Sequence, residues 1–189
     1  MTIALLQGMR VAILLRDGFL ESELLEPKRA LENAGAATFV ISASGDRVRG
    51  RTTGNGQKDV PVDVPLESAR AEDFHALLLP GGSSDGPVNI GEVQFVRHFM
   101  QAGTLVAAIG EGCRILLQAG TVRGCRMTSS PSLKSELENA GASWVNSDVV
   151  CDRNLITSRT PDDIPAFDRE MVRSFAEFRE HSTGMRKAY

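Results

Sequence analysis

Apolar residues along this chain fall into two kinds of stretch that take turns. Short unbroken runs, Met9 to Leu15 (MRVAILL), Ala37 to Ser42 (ATFVIS), His75 to Leu79 (HALLL) and Leu105 to Ile109 (LVAAI), read as strands covered on both faces. Between them lie stretches with apolar residues at helical spacing, which read as helices burying one side. Asp17-Gly18 breaks the first strand before a helix over Glu21 to Ala34, where Pro27 is tolerated early or as a kink and Gly35 supplies the stop. A polar, glycine-rich segment from Gly45 to Lys58 leads to Val60, Val62 and Val64, whose alternation predicts a hairpin or edge strand bounded by prolines. Val93, Val96, Phe99 and Met100 mark a helix closed by Gly103, and Gly110-Glu111-Gly112 opens another that runs through Ile115 and Leu116 to Gly120. Further on, the pattern predicts a short strand pair over Val122 to Ser129 and a helix over Leu133 to Ala140. Strands over Val149 to Thr157 and an amphipathic helix over Ala166 to Glu180 complete it.

Strands alternating with helices predict a mostly parallel sheet with helices on both faces. Ligands of such folds sit beyond the carboxyl ends of the strands, which singles out two loops, Pro80 to Asp85 and Gly110 to Cys113. At 189 residues the chain suits one domain over 1–189, with a core of about 9–178, a short N-terminal extension and a polar C-terminal tail. A formal charge of −3 with scattered basic residues gives no footprint for nucleic acid or for an anionic membrane surface. No apolar run reaches the roughly 20 residues of a membrane span, and no basic region precedes a signal-type core, so a cytoplasmic location is expected. Cys113, Cys125 and Cys151 are an odd number at wide gaps, which fits reduced thiols. His75, His98 and His181 are equally dispersed, and without CxxC, HxH or HExxH spacing no metal is expected. Nor is a dinucleotide cofactor: the Gly110-Glu111-Gly112 turn has Ile115 where a third glycine would fall, and Glu111 would repel an anion.

Four segments then carry a resemblance. DGFLESELLEP (Asp17 to Pro27), ALLLPGG (Ala76 to Gly82), TSSPSLKSELENAGASWV (Thr128 to Val145) and LITSRTPDDIPAF (Leu155 to Phe167) closely resemble PfpI-type proteins of the ThiJ/PfpI superfamily, in order and spacing, across about residues 9 to 178. The resemblance implies a flavodoxin-like three-layer sandwich and homodimers or larger rings of dimers. It also implies bacterial stress roles described as protease-like, glyoxalase or deglycase activity. Active members resemble AICHG at the turn after the central strand, where the cysteine is the nucleophile. Here the matching stretch is Ala108, Ile109, Gly110, Glu111, Gly112, so Gly110 stands at the nucleophile position and Glu111 at the following histidine. Cys113 replaces a common proline, Ser130 an aromatic and Leu20 an acidic residue. Glu23 matches the acid that hydrogen-bonds the thiol, and Gly81-Gly82 match the loop whose N–H groups form an oxyanion hole.

Glycine cannot act as a nucleophile, and it adopts positive φ freely, so Gly110 is expected to relax a turn that a cysteine would strain. The reading that follows is a stress-related member without the usual cysteine chemistry, acting as a small-molecule-binding or interaction protein. The alternative is a glyoxalase, deglycase or peptidase-like hydrolase. It would use Cys113, whose thiol a helix N-terminus would acidify, or a Glu23/Glu111 pair sharing a proton. The plainer reading makes Cys113 a small packing residue, as for Cys125 and Cys151, and makes Glu111 an anion favoured by the helix dipole. Arg159 and Asp162-Asp163 belong to a loop that the resemblance sets near the pocket or an interface, and the plainer reading is a solvated capping loop.

Overall fold

The computed structural model describes residues 5–52, 56–82 and 88–186. The first apolar run forms β1 (Arg10–Leu14). A two-residue strand β2 (Phe19–Leu20) leads into α1 (Glu21–Asn33), and β3 (Ala37–Ser42) completes the first βαβ unit. β4 (Arg47–Arg51), β5 (Gln57–Pro61) and β6 (Val64–Pro65) follow, then β7 (Ala76–Leu79), α2 (Ile90–Gln101), β8 (Leu105–Ile109) and α3 (Cys113–Gln118). The last part holds β9 (Arg126–Met127), α4 (Lys134–Asn139), β10 (Ser143–Trp144), β11 (Val149–Asp152), β12 (Leu155–Ser158) and α5 (Ile164–Arg186).

Seven strands make the main sheet in the order β11-β12-β8-β7-β1-β3-β6, parallel except for β11. Every residue of β7, β8 and β12 is buried, as strands covered on both faces require; β7 and β8 are unbroken apolar runs, whereas β12 also buries Thr157 and Ser158, whose hydroxyls donate to the Val150 and Asp148 carbonyls. Alternate residues feed two cores. Val11, Ile13, Leu78 and Ile109 pack with Leu24 and Leu31 of α1 and Phe167, Met171 and Phe175 of α5. Ala12, Leu14, Leu79 and Ala108 face Phe95 and Phe99 of α2, Leu116 of α3 and Leu137 of α4. The result is the mostly parallel sheet with helices on both faces that the alternation predicts, in the flavodoxin-like form that the resemblance implies.

Four expectations are corrected. The alternation of Val60, Val62 and Val64 is split between two sheets: β5 pairs with β4 in a hairpin, whereas Val64 pairs with Ile41 at the edge of the main sheet. β4 itself reads as a polar loop because its arginines occupy the exposed face while Val48 and Gly50 are buried. Over Val122 to Ser129 only β9 forms, and it pairs in parallel with β10, because Val122 to Cys125 closes a turn through Gly124 instead. α5 begins at Ile164, ahead of Ala166, because Pro165 falls in the first turn, where a missing N–H is harmless.

The order of the strands fixes where a ligand can enter. From β1 the chain crosses to β3 on one side and later returns to β7 on the other, so the carboxyl ends of β1 and β7 flank the topological switch point.

Candidate functional site

At this switch point lies a cavity of about 360 Å³ lined by Leu14, Arg16, Phe19, Gly81, Glu111 and Arg114 among others. β1 delivers Leu14 and Arg16, the Asp17-Gly18 turn brings Phe19 back over the cavity, and β7 ends in Gly81-Gly82. Leu20 N–H donates to the Gly81 carbonyl at 3.1 Å, which ties the start of α1 to that loop. Of the expected loop Pro80 to Asp85, residues 83–85 lie outside the described residues.

Behind Gly81 stands Glu23, in the first turn of α1 and only 4% exposed. Burial pushes its carboxyl from an ordinary 4.5 to about 7; a hydrogen bond from Gly81 N–H pulls the other way, and the nearby Glu111 charge adds to the rise. Its Oε2 has no hydrogen-bond partner among the described residues. Gly81 is glycine because a Cβ there would lie 2.4 Å from that Oε2 and 2.9 Å from the Glu111 nitrogen.

The second loop follows β8. Gly110 has φ +58, in the left-handed region that glycine enters without penalty, so the turn keeps its sharp form. A Cβ built on Gly110 would point straight at the acid: 3.2 Å from Glu23 Oε1, 3.5 Å from Oε2 and 3.3 Å from the Arg159 carbonyl oxygen. Gly112 is required by close approach, because its Cβ would fall 2.2 Å from the Leu79 carbonyl oxygen. The start of α3 therefore packs directly on the end of β7.

Both carboxylate oxygens of Glu111 find partners other than Glu23. Its Oε1 accepts from the Ser132 hydroxyl and its Oε2 from Arg114 at 3.1 Å, while Arg114 also reaches Glu136 at 3.3 Å. Ser130 Oγ lies 2.8 Å from Ser132 Oγ, and Ser130 N–H donates to the Gly110 carbonyl, so these serines brace the turn. Cys113 is fully buried with Sγ donating to the Thr128 carbonyl at 3.5 Å. Burial, then the Glu23 and Glu111 charges, push its thiol far above the usual range, opposite to the acidification expected from the helix terminus. Cys125 is buried as a packing residue, but Cys151 is not one: it lies on the exposed face of the edge strand β11.

Arg159 also departs from expectation. Its guanidinium grips Asp163 through Nε at 2.9 Å and Nη2 at 3.0 Å, and reaches Asp148 at 2.6 Å and Asn146 at 2.7 Å. Asp163 is buried and held below the usual carboxylate range by that guanidinium. This is a clamp rather than a solvated loop, and it fixes the carbonyl that faces Gly110. Arg16, Arg114 and Ser132 join the site without a motif to mark them, although Arg114 stands three residues after Glu111, the spacing of an ion pair on one helix face. Among the described residues no cluster of potential ligands could hold a metal ion, and no helix is long and apolar enough to cross a membrane.

Comparison with known proteins places this geometry. General stress protein 18 of Bacillus subtilis is 40% identical over 169 residues, 87% of this chain and 96% of that protein. A protein of Pyrococcus abyssi named as a deglycase is 39% identical over 167 residues, 87% of this chain and 98% of its own length. DJ-1beta of Drosophila melanogaster superposes with a TM-score of 0.75 at 27% identity, covering 95% of this chain and 98% of that one. A DJ-1/ThiJ/PfpI-like and ferritin-like two-domain protein of Anabaena variabilis gives 0.82 at 29%, over 88% of this chain and 48% of that one. The DJ-1/PfpI family model matches residues 9–174, and the chain belongs to the DJ-1/PfpI family.

Proposed function

We propose that this chain is a stress-related DJ-1/PfpI protein in which cysteine chemistry has been given up and the pocket bordered by Gly81, Glu111 and Gly112 binds a small molecule. The observation that carries this reading is the direction of the Gly110 Cα–Hα bond: a side chain there would meet Glu23 at 3.2 Å, where the family resemblance puts a nucleophilic thiol. Glycine offers no nucleophile, and Cys113, three residues on, is buried and its thiol is disfavoured as thiolate. The likeness to general stress protein 18 supports the stress-related part of the reading.

The chain would act as one domain, in the cytoplasm and as a homodimer or larger homo-oligomer, which sedimentation tests. Catalysis is tested by methylglyoxal turnover with Cys113→Ala and Glu23→Gln beside wild type. The expected result is no turnover above solvent background in any of the three. Turnover that one substitution abolishes would restore the hydrolase or deglycase alternative.

A further inference from the structure

A second cavity opens at the other end of the sheet. Of about 280 Å³, it lies at the amino ends of β8 and β12, where Asn154 and Leu155 border it, whereas the Gly110 elbow follows the carboxyl end of β8. Three arginines from separate elements line it: Arg97 on α2, Arg123 in the turn after α3 and Arg153 in the tight turn between β11 and β12. We propose that this cavity binds a small phosphate-type oxyanion, free or carried on a metabolite.

The two cavities differ in what their arginines already hold. At the Gly110 end Arg114 is paired with Glu111 and Glu136, and Arg16 with Glu92. In the second cavity Arg97 engages only Nε, on the Ala119 carbonyl at 3.1 Å, and the Arg123 guanidinium has no acceptor among the described residues. Arg153 alone is held by a carboxylate: Nε and Nη2 reach Asp152, and Nη2 also reaches the Gly124 carbonyl at 3.2 Å, so Nη1 has no acceptor among the described residues. Asp152 is the one carboxylate in the lining, and it also accepts from Arg126 N–H at 2.8 Å. An arriving anion would thus meet three guanidinium groups against one carboxylate that is already engaged.

A plainer account makes these arginines caps of the helix C-termini, which point here. That explains one N–H of Arg97 and none of Arg123. Arg153 adds an independent sign. It is the only non-glycine residue at positive φ among the described residues, at φ 55. Glycine or asparagine would make that turn with less strain, so the side chain, not the turn, accounts for an arginine there.

The convergence also selects the class of anion. A guanidinium is a planar fork that grips two oxygens of one acceptor. A carboxylate offers two oxygens, which a single fork engages; a phosphate presents further oxygens on other faces, to forks arriving from other elements. The volume suits a small molecule, and a formal chain charge of −3 leaves no footprint for a nucleic-acid backbone.

The test is a titration of the full chain with inorganic phosphate, glycerol phosphate and acetate at constant ionic strength, followed by the backbone amide signals of Gly120, Thr121 and Asn154. Saturable shifts with the two phosphates are expected. Arg97→Gln and Arg123→Gln should each weaken binding about fivefold, the upper value for an exposed ion pair. Both side chains are exposed, so the variants should fold. Arg173→Gln removes the same charge from α5, where Glu170 and Glu177 hold it, and should leave binding unchanged. Tighter binding of glycerol phosphate would identify a phosphorylated metabolite and equal binding free phosphate, and either supports the site. No saturable shift with either phosphate, acetate bound as tightly, or equal weakening by Arg173→Gln would overturn the proposal.

Discussion

Two acids in this molecule are perturbed alike and placed differently. Glu23 on α1 and Asp168 on α5 both titrate near 7, each raised mainly by burial, and each keeps one buried oxygen without a partner among the described residues. Asp168, with the Glu26 charge beside it, borders a shallow depression of Leu5, Ala30, Val172 and Ala176 between helices. What bears on it from another element is the like charge of Glu26 on α1. Glu23 stands at the switch point of the sheet, close to a left-handed glycine and packed behind Gly81, which borders a cavity drawn from β1, β7 and α3. Burial alone raises an acid; convergence of independent backbone segments on it is what distinguishes a site.

This contrast can be broken in several ways. The largest expected effect is at the backbone that builds the Glu23 end. Gly112→Ala forces a Cβ to within 2.2 Å of the Leu79 carbonyl and should cost at least about 3 kcal/mol in denaturant unfolding, the upper range for overpacking. A loss below about 1 kcal/mol would mean that α3 is not seated on β7 as described.

Next comes the linkage of Glu23 to pH. The folded protein keeps the Glu23 proton between 4.5 and about 7, where the unfolded chain has lost it. Stability from this group is therefore complete below 4.5 and declines as pH rises to about 7. Glu23→Gln removes the decline, so the variant should gain on wild type across that window by up to about 3 kcal/mol, since one pKa unit is worth about 1.4. Unfolding curves at several pH values check this, and parallel curves for the two proteins would contradict it.

Asp168→Asn should show the same sign with a smaller amplitude. Asp168 is partly hydrated, so the gain is discounted to about 1 kcal/mol. Should Asp168→Asn match Glu23→Gln in size, the distinction between the two places would collapse on the energetic side. The smallest effect concerns the thiols: iodoacetamide near neutral pH should modify exposed Cys151 and leave buried Cys113 intact until the protein unfolds. Rapid labelling of Cys113 in the native state would return it to the catalytic candidates.

Much of the fold is legible from periodicity, because β1, β3, β7 and β8 are apolar runs whose ends are punctuated by glycine or proline. β4 escapes because Arg47, Arg49 and Arg51 make a half-buried strand look like a polar loop. The site is legible only in part. The resemblance picks out Glu23, Gly81 and Gly110, and the structure brings these together. Spacing cannot reveal that Glu111 turns to Arg114 and Ser132, since Ser132 lies 21 residues away in sequence. Nor can it show Cys113 facing inward: a helix N-terminus acidifies a thiol only where solvent can reach it, and here desolvation prevails.

The central claim is that Glu23 keeps a desolvated carboxyl at the Gly110 elbow, where glycine supplies no nucleophile. Carbon-detected NMR titration of the Glu23 side-chain carboxyl tests this most directly. A midpoint of about 7 is expected, held up by burial of the carboxyl. A midpoint at the ordinary 4.5 would contradict it.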